Sequence, residues 1–127
     1  MMNVLRTALR SLGGRGEVRL ALVVRKDAQL TSGDLTSHCA EAAINAYKLA
    51  GVEAPELMRV WDSTGMAKVV LRAKDSNEIE ALRQKAKDLN VLTSCSFHRG
   101  GTDPTVVGFG PMHRETLDLV TGELKLL

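Results

Sequence analysis

An almost uninterrupted apolar run near the start of the chain constrains the fold most. Residues 17–25 read EVRLALVVR, in which aliphatic residues first alternate with charged ones and then become continuous. A run of this length, rich in β-branched residues, predicts a strand that is buried on both faces. Such strands belong to sheets that are covered by helices on both sides. The run therefore favours an α/β domain.

The rest of the chain alternates between helical and strand patterns. Apolar residues from Leu35 to Ala50 recur at helical spacing, and we expect Gly51 to end that helix. Ser76 is expected to begin a later helix that Asn90 closes. The other predicted elements are a helix over 53–61, strands over 68–72, 91–97 and 105–109, and a helix over 114–120. The order β-α-α-β-α-β-β-α predicts an α/β fold with a mixed sheet that helices cover on both sides.

Composition limits the classes of function. The chain has 127 residues, of which 44% are hydrophobic, and this suits one domain with its own core. Net charge is only +2 and aromatic residues make up 3%, which argues against a surface that stacks nucleic-acid bases. Cys39 and Cys95 form no C-x-x-C pair, so we expect two buried thiols in a reducing compartment. No apolar run is long enough to predict a membrane span.

The first residues differ from the rest in charge. Residues 1–16 contain Arg6, Arg10 and Arg15, and no acidic residue precedes Glu17. One interpretation is a short surface helix of a cytoplasmic protein; the other is a mitochondrial targeting segment. Either way, we predict a basic extension over 1–16 and a folded domain over 17–127.

Titratable residues recur along the first long helix. Asp34, His38, Glu41 and Asn45 are spaced by four, three and four residues, which predicts one stripe opposite the apolar face. One interpretation is a site in which Glu41 positions His38 as a proton shuttle; the other is a solvated helix face. His-x-x-Glu with a distant His98 is too common a pattern to favour a metal site, so we expect no metal and no cofactor.

A second polar segment lies between the last two predicted strands. Residues 98–104 read HRGGTDP, in which paired glycines permit close approach of another molecule to the backbone. Arg99 offers a planar fork for phosphate and Thr102 offers a hydroxyl. The segment is either a cradle for a phosphate or an ester carbonyl, or an ordinary long turn. It matches no nucleotide-binding motif.

Several segments, taken together, resemble a known family. They are LVVR at 22–25, AAINAYK at 42–48, KVV at 68–70, GFGP at 108–111 and VTGELKLL at 120–127. In one register from about Val18 to the last residue, the chain resembles type II peptidyl-tRNA hydrolases. The resemblance implies a three-layer α/β/α domain with a mixed four-stranded sheet, a homodimer, and hydrolysis of the ester between a peptide and the 3′ end of tRNA.

The resemblance weakens at the positions that carry the chemistry. Where the family has two lysines around a glycine, the second of them usually assigned to catalysis, this chain has Ser32 and Asp34 around Gly33. His38 stands for the family's glutamine and Glu41 for its histidine. His98 replaces an acidic residue, and Arg99 follows where a small residue is usual. Thr102 and Thr105 correspond to threonines of the family.

Two functional hypotheses follow from these substitutions. In the first, the protein hydrolyses or binds a peptidyl-tRNA or another tRNA-linked substrate. The predicted catalytic residues are His38, Glu41, Asp34 and His98, and the predicted substrate-binding residues are Ser32, Gly33, Arg99, Gly100, Thr102 and Thr105. In the second hypothesis, the chain is an inactive pseudoenzyme that serves as a binding or assembly module.

Overall fold

A computed structural model of the chain describes residues 16–98 and 100–127. The predicted basic extension, apart from Gly16, and Arg99 lie outside the described residues. The strands are β1 (Val18–Arg25), β2 (Lys68–Ala73), β3 (Thr93–Phe97), β4 (Pro104–His113) and β5 (Lys125–Leu126). The helices are α1 (Ser32–Glu53), α2 (Pro55–Ser63), α3 (Ser76–Asp88) and α4 (Arg114–Thr121), with a 3-10 turn at Lys26–Ala28.

The strands form one mixed sheet in the order β3-β4-β1-β2-β5. β1 is parallel to β2, whereas the other three pairings are antiparallel. α1 and α2 pack together against β1 and β4, and α3 and α4 form the other helical layer. Six of the eight residues of β1 are buried, as the apolar run predicts. The predicted α/β class and mixed sheet are confirmed.

The sheet has five strands rather than the four that the resemblance implies. The additional strand, β5, pairs Leu126 with Leu71 and Lys125 with Arg72. It has only two residues, which is too short to produce the alternation by which a strand is recognised in a sequence. Its pairing with β2 makes β5 one edge of the sheet.

Two predicted boundaries are wrong because a glycine does not end the element that contains it. α1 continues through Gly51 to Glu53. β4 continues past Phe109 to His113, since one extra residue is accommodated between the Ala21–Phe109 and Arg19–Met112 pairs. Gly110 enables this bulge because its φ is +109° and an added Cβ would lie 2.9 Å from the carbonyl oxygen of Arg19.

The cysteines also differ from expectation. Cys39 and Cys95 are each only partly buried, not fully enclosed, and neither is in a disulfide. Burial nevertheless raises the pKa of both thiols above the ordinary value. Within residues 16–98 and 100–127, no helix is long and apolar enough to cross a membrane.

Candidate active site

The candidate site lies where β4 begins, at the carboxyl end of β1. Ser96 pairs with Val106 and Phe97 pairs with Pro104, so Thr105 is an extra residue in β4. A bulge of this kind redirects a side chain relative to the regular alternation of a strand. The Thr105 hydroxyl is thereby directed to α1, where it meets His38.

His38 lies on the buried face of α1, not on a solvated one. The buried residues of this helix are His38, Ala42, Ala46 and Ala50, at intervals of four. The prediction that His38 lies opposite the apolar face is therefore wrong, whereas Asp34 and Glu41 of the same stripe are exposed. The small alanine side chains let α1 pack closely on the sheet, and His38 stands at the end of this line with 9% of its surface exposed.

A chain of two hydrogen bonds fixes the His38 ring. Nδ1 of His38 lies 2.7 Å from Oγ1 of Thr105, and Oγ1 of Thr105 lies 3.2 Å from the carbonyl oxygen of Ser96. A carbonyl oxygen can only accept, so the single hydroxyl proton of Thr105 is donated to Ser96. Both contacts are hydrogen bonds only if Nδ1 carries the ring proton and donates it to Thr105.

This assignment determines what the other ring nitrogen can do. A neutral imidazole with its proton on Nδ1 presents a lone pair at Nε2. Among the described residues, none is a hydrogen-bond partner of that nitrogen. His38 is thus held in the tautomer that can accept a proton at Nε2.

A second histidine stands beside the first. The ring centres of His38 and His98 are 5.7 Å apart, and the ring planes are inclined by 51°. His98 is exposed, whereas His38 is almost enclosed. The described site therefore consists of a buried histidine on a hydrogen-bonded threonine, with an exposed histidine next to it.

Comparison with known proteins shows the family to which the chain belongs. The family model described as peptidyl-tRNA hydrolase PTH2 matches residues 18–127. The chain belongs to the PTH2 family. It is 35% identical to the probable peptidyl-tRNA hydrolase 2 of Schizosaccharomyces pombe over 116 residues, which are 87% of this chain and 57% of that protein.

Two further PTH2 relatives cover different shares of their own length. The human protein named peptidyl-tRNA hydrolase 2, mitochondrial, is 38% identical over 120 residues, which are 91% of this chain and 67% of the relative. The peptidyl-tRNA hydrolase of Thermococcus onnurineus is 32% identical over 111 residues, or 84% of this chain and 94% of the relative. The chain therefore spans little more than half of the fission yeast relative and nearly all of the archaeal one.

The start of α1 holds Ser32, Gly33 and Asp34, which were predicted to belong to the site. Thr31 caps this helix, since its hydroxyl accepts a hydrogen bond from the Asp34 amide at 3.1 Å. Asp34 also places a negative charge in the first turn, where the helix dipole favours it. Ser32, Gly33 and Asp34 are all exposed, and an added Cβ at Gly33 would meet nothing within 4 Å.

Among the described residues, neither Asp34 nor Glu41 is hydrogen-bonded to the buried His38 ring. Glu41 is exposed, and among the described residues the only hydrogen-bonded partner of the His38 ring is Thr105. The predicted orienting role of Glu41 is therefore wrong, because its position on α1 faces solvent while His38 faces the sheet. Asn45 lies further along the helix and donates to the carbonyl oxygen of Cys95 at 3.2 Å.

The loop after β3 is a turn, and its polar residues other than Arg99, which the structure does not describe, are exposed. The Gly101 amide donates to the carbonyl oxygen of His98 at 2.8 Å, and Gly100 has a φ of +77°. Gly100 and Thr102 are both exposed. The structure thus brings His38, His98 and Thr105 together and leaves Thr102 at the surface of the loop.

The sequence interpretation missed two serines on β3 of this PTH2 domain. Ser94 donates to the carbonyl oxygen of Ala42 at 2.9 Å, and Ser96 is fully buried with no hydrogen-bond partner for its hydroxyl. The alternating pattern T-S-C-S-F places both serines on one face of β3, which is the signal that could have identified them. In the part of the chain that the structure describes, no three His, Cys, Asp or Glu side chains are grouped to hold a metal ion.

Proposed function

We propose that the protein hydrolyses the ester bond between a peptide and the 3′ end of tRNA, with His38 as the general base. The observation that carries the proposal is the His38–Thr105–Ser96 hydrogen-bond chain, which leaves Nε2 of His38 as a proton acceptor. Membership of the PTH2 family and the names of its relatives support the choice of substrate.

In the proposed reaction, water attacks the carbonyl carbon of the peptidyl ester while Nε2 of His38 takes one of its protons. The tetrahedral intermediate then collapses, and the bond from the carbonyl carbon to the ribose oxygen breaks. That oxygen receives the proton back from Nε2, so the products are a free peptide acid and tRNA. Throughout, Nδ1 keeps its own proton and donates it in the hydrogen bond to Oγ1 of Thr105. This hydrogen bond prevents the ring from rotating or exchanging tautomers.

The negative charge that develops on the carbonyl oxygen of the ester is stabilised by a hydrogen-bond donor. His98 is the side chain we assign to it, because its exposed ring stands 5.7 Å from the His38 ring. Arg99 follows directly in the sequence, and its guanidinium is proposed to contact a substrate phosphate. This set differs from the one predicted from sequence in replacing Glu41 by Thr105 as the residue that orients the base.

The test is release of peptide from an N-blocked aminoacyl-tRNA by His38→Asn. Asparagine can still donate a hydrogen bond to Thr105 but has no group to accept a proton, so we expect kcat to fall by about 10² to 10⁴. His113→Asn is the matched control, since the ring of His113 lies away from this site and its Nδ1 is 3.3 Å from the carbonyl oxygen of Gly16. Retention of full activity by His38→Asn would contradict the proposal, and a wild-type protein that binds tRNA without releasing peptide would favour the binding module.

We also propose that the protein is mitochondrial rather than cytoplasmic. The names of the human and bovine relatives contain the word mitochondrial. Residues 1–16 have the arginine-rich, acid-free composition of targeting segments. Fusion of these residues to a fluorescent protein should direct it to mitochondria, and diffuse fluorescence would contradict the proposal.

The homodimer that the family resemblance implies is likewise a proposal. Exposed apolar side chains such as Ile44, Val52 and Val60 on α1 and α2 provide surface that a second copy would cover. Sedimentation equilibrium should give twice the chain mass of 13.8 kDa. A mass equal to one chain at micromolar concentration would contradict it.

A further inference from the structure

A basic groove lies on the side of the sheet away from His38. It has a volume of about 690 Å³ and runs between α3 and the segment of α4 and β5, beside the end of β2. Its basic side chains come from the ends of β1 and β2, from α3 and from β5. They are Lys26, Arg72, Lys74, Lys85 and Lys125.

The positive charge of this groove is not neutralised by ion pairs. Within the described part of the chain, none of the five basic side chains has a carboxylate partner. Three acidic residues, Glu78, Asp118 and Glu123, also line the groove; Asp118 contacts Arg114, at 3.7 Å, and Glu78 accepts from the backbone amide of Lys74, at 3.3 Å. With five basic and three acidic lining residues, the groove has an excess of positive charge on a chain whose total charge is only +2.

Two of the basic residues oppose each other directly. Arg72 of β2 is the cross-strand partner of Lys125 of β5. Like charges in this position repel each other and destabilise the pairing of two strands. An anion that binds between them removes the repulsion, so the pair is suited to a phosphate group.

The groove and the His38 site both lie near the carboxyl end of β1, on opposite sides of the sheet. Val24 near the end of β1 pairs with Val106 of β4, and Arg25 pairs with Ala73 of β2. Thr105 and Lys74 therefore flank the end of β1 on opposite sides. Two strand spacings separate them, which is about 10 Å. The single-stranded 3′ end of a tRNA needs only a few nucleotides to cross this distance.

We propose that the groove binds backbone phosphates of the tRNA part of the substrate, while the 3′ ester lies at His38. This inference rests on the proposed function for the identity of the nucleic acid. The chain of phosphates that precedes the 3′ ribose passes over the end of β1 and continues along Lys26 and Lys74 to Lys85. Its contacts are to the backbone and are independent of base sequence.

The test is the affinity of deacylated tRNA at a series of salt concentrations. The groove variant carries Lys26→Gln, Lys74→Gln and Lys85→Gln. The control variant carries Lys48→Gln, Lys68→Gln and Lys87→Gln, which removes the same charge from exposed lysines that do not line the groove. We expect the slope of log affinity against log salt to become shallower by about 2 to 3 in the groove variant, and the affinity near 0.1 M salt to fall by more than about tenfold.

The control variant should bind tRNA within about twofold of the wild type. Equal losses in both variants, or none in the groove variant, would overturn the proposal. If the groove variant lost binding to polyglutamate but bound tRNA as tightly as the wild type, the proposal would be overturned in favour of an acidic protein partner. Because deacylated tRNA has no ester, this assay is separate from hydrolysis: a protein that binds tRNA through the groove but releases no peptide would overturn only the proposed reaction.

Discussion

His38 and Thr105 are separated by 67 positions in the chain, yet Nδ1 of His38 lies 2.7 Å from Oγ1 of Thr105. The contact joins the first long helix to a bulge in β4. Because Thr105 donates its own proton to Ser96, it accepts from His38 and selects one ring tautomer. A neutral hydroxyl therefore orients the His38 ring, as a carboxylate orients the histidine of a Ser-His-Asp triad.

Replacing Thr105 by valine should separate orientation of the base from substrate binding. Valine has nearly the same shape, so it removes the hydroxyl while filling the space. We expect kcat to fall by about 10- to 100-fold with little change in KM, because Nε2 is no longer held in one tautomer and position. Steady-state kinetics with an N-blocked aminoacyl-tRNA measures both constants.

The conservative variant Thr105→Ser is the control for this prediction. It keeps the hydroxyl and should recover most of kcat. Thr105→Val should also reduce the free energy of unfolding by about 1 to 3 kcal/mol, because the buried Nδ1–H and the Ser96 carbonyl lose a partner. Unchanged kcat in the valine variant, with the expected loss of stability, would show that the hydrogen bond is only structural.

The two serines on β3 should respond oppositely to removal of their hydroxyls. Ser94→Ala loses a buried hydrogen bond to the carbonyl oxygen of Ala42 and should reduce the free energy of unfolding by about 1 kcal/mol. Ser96→Ala removes a buried hydroxyl that has no partner, so the stability should stay equal or rise by up to about 1 kcal/mol. Urea unfolding of the two variants provides a matched comparison, and a larger loss for Ser96→Ala would contradict the prediction.

Local periodicity predicted the elements better than it predicted the site. Alternation and apolar continuity suffice for β1, because a strand buried on both faces needs apolar residues at nearly every position. The spacing of Asp34, His38 and Glu41 correctly indicates a helix but does not say which side meets the sheet. The partner that His38 meets there, Thr105, lies in a bulge, which is a feature of strand pairing that no local pattern contains.

Glycines show the same limit of local patterns. Gly51 was expected to end a helix and Gly110 to follow a strand, yet α1 and β4 continue through them. At Gly51 an added Cβ would meet only the Met58 methyl carbon, at 3.9 Å, whereas at Gly110 it would meet backbone atoms at 2.9 Å. The residue type is the same, and only the tertiary surroundings distinguish its two roles.

Alanine substitution at these two glycines should therefore have opposite effects on stability. Gly51→Ala should raise the free energy of unfolding by about 0.5 to 1 kcal/mol, since alanine loses less backbone entropy in a helix. Gly110→Ala should lower it by at least about 2 kcal/mol, because φ is +109° and the added methyl meets the Arg19 carbonyl. Gly65→Ala is the control for strain alone, as Gly65 has a φ of +99° but an added Cβ meets nothing within 4 Å. A loss at Gly65 as large as that at Gly110 would show that the close contact adds nothing.

The two thiols should make the folded protein less stable at alkaline pH. Burial raises the pKa of Cys39 and of Cys95 above the ordinary value of 9.0, and for Cys95 the nearby Glu80 adds to this while Arg83 opposes it. As the pH rises through the ordinary value, the unfolded chain loses its thiol protons first and the folded chain keeps them. The unfolded state then binds fewer protons, so the free energy of unfolding decreases with increasing pH in this range.

The double variant Cys39→Ala/Cys95→Ala isolates this effect from other alkaline titrations. Its stability below the ordinary thiol pKa provides the reference, and the decline above that pKa should be smaller than in the wild type. The same protection predicts that iodoacetamide alkylates both thiols more slowly in the folded chain than in urea, because the thiolate is the nucleophile. Since each thiol is only partly buried, the reaction should proceed without unfolding, and a rate equal to that in urea would show that burial does not raise the pKa of either thiol.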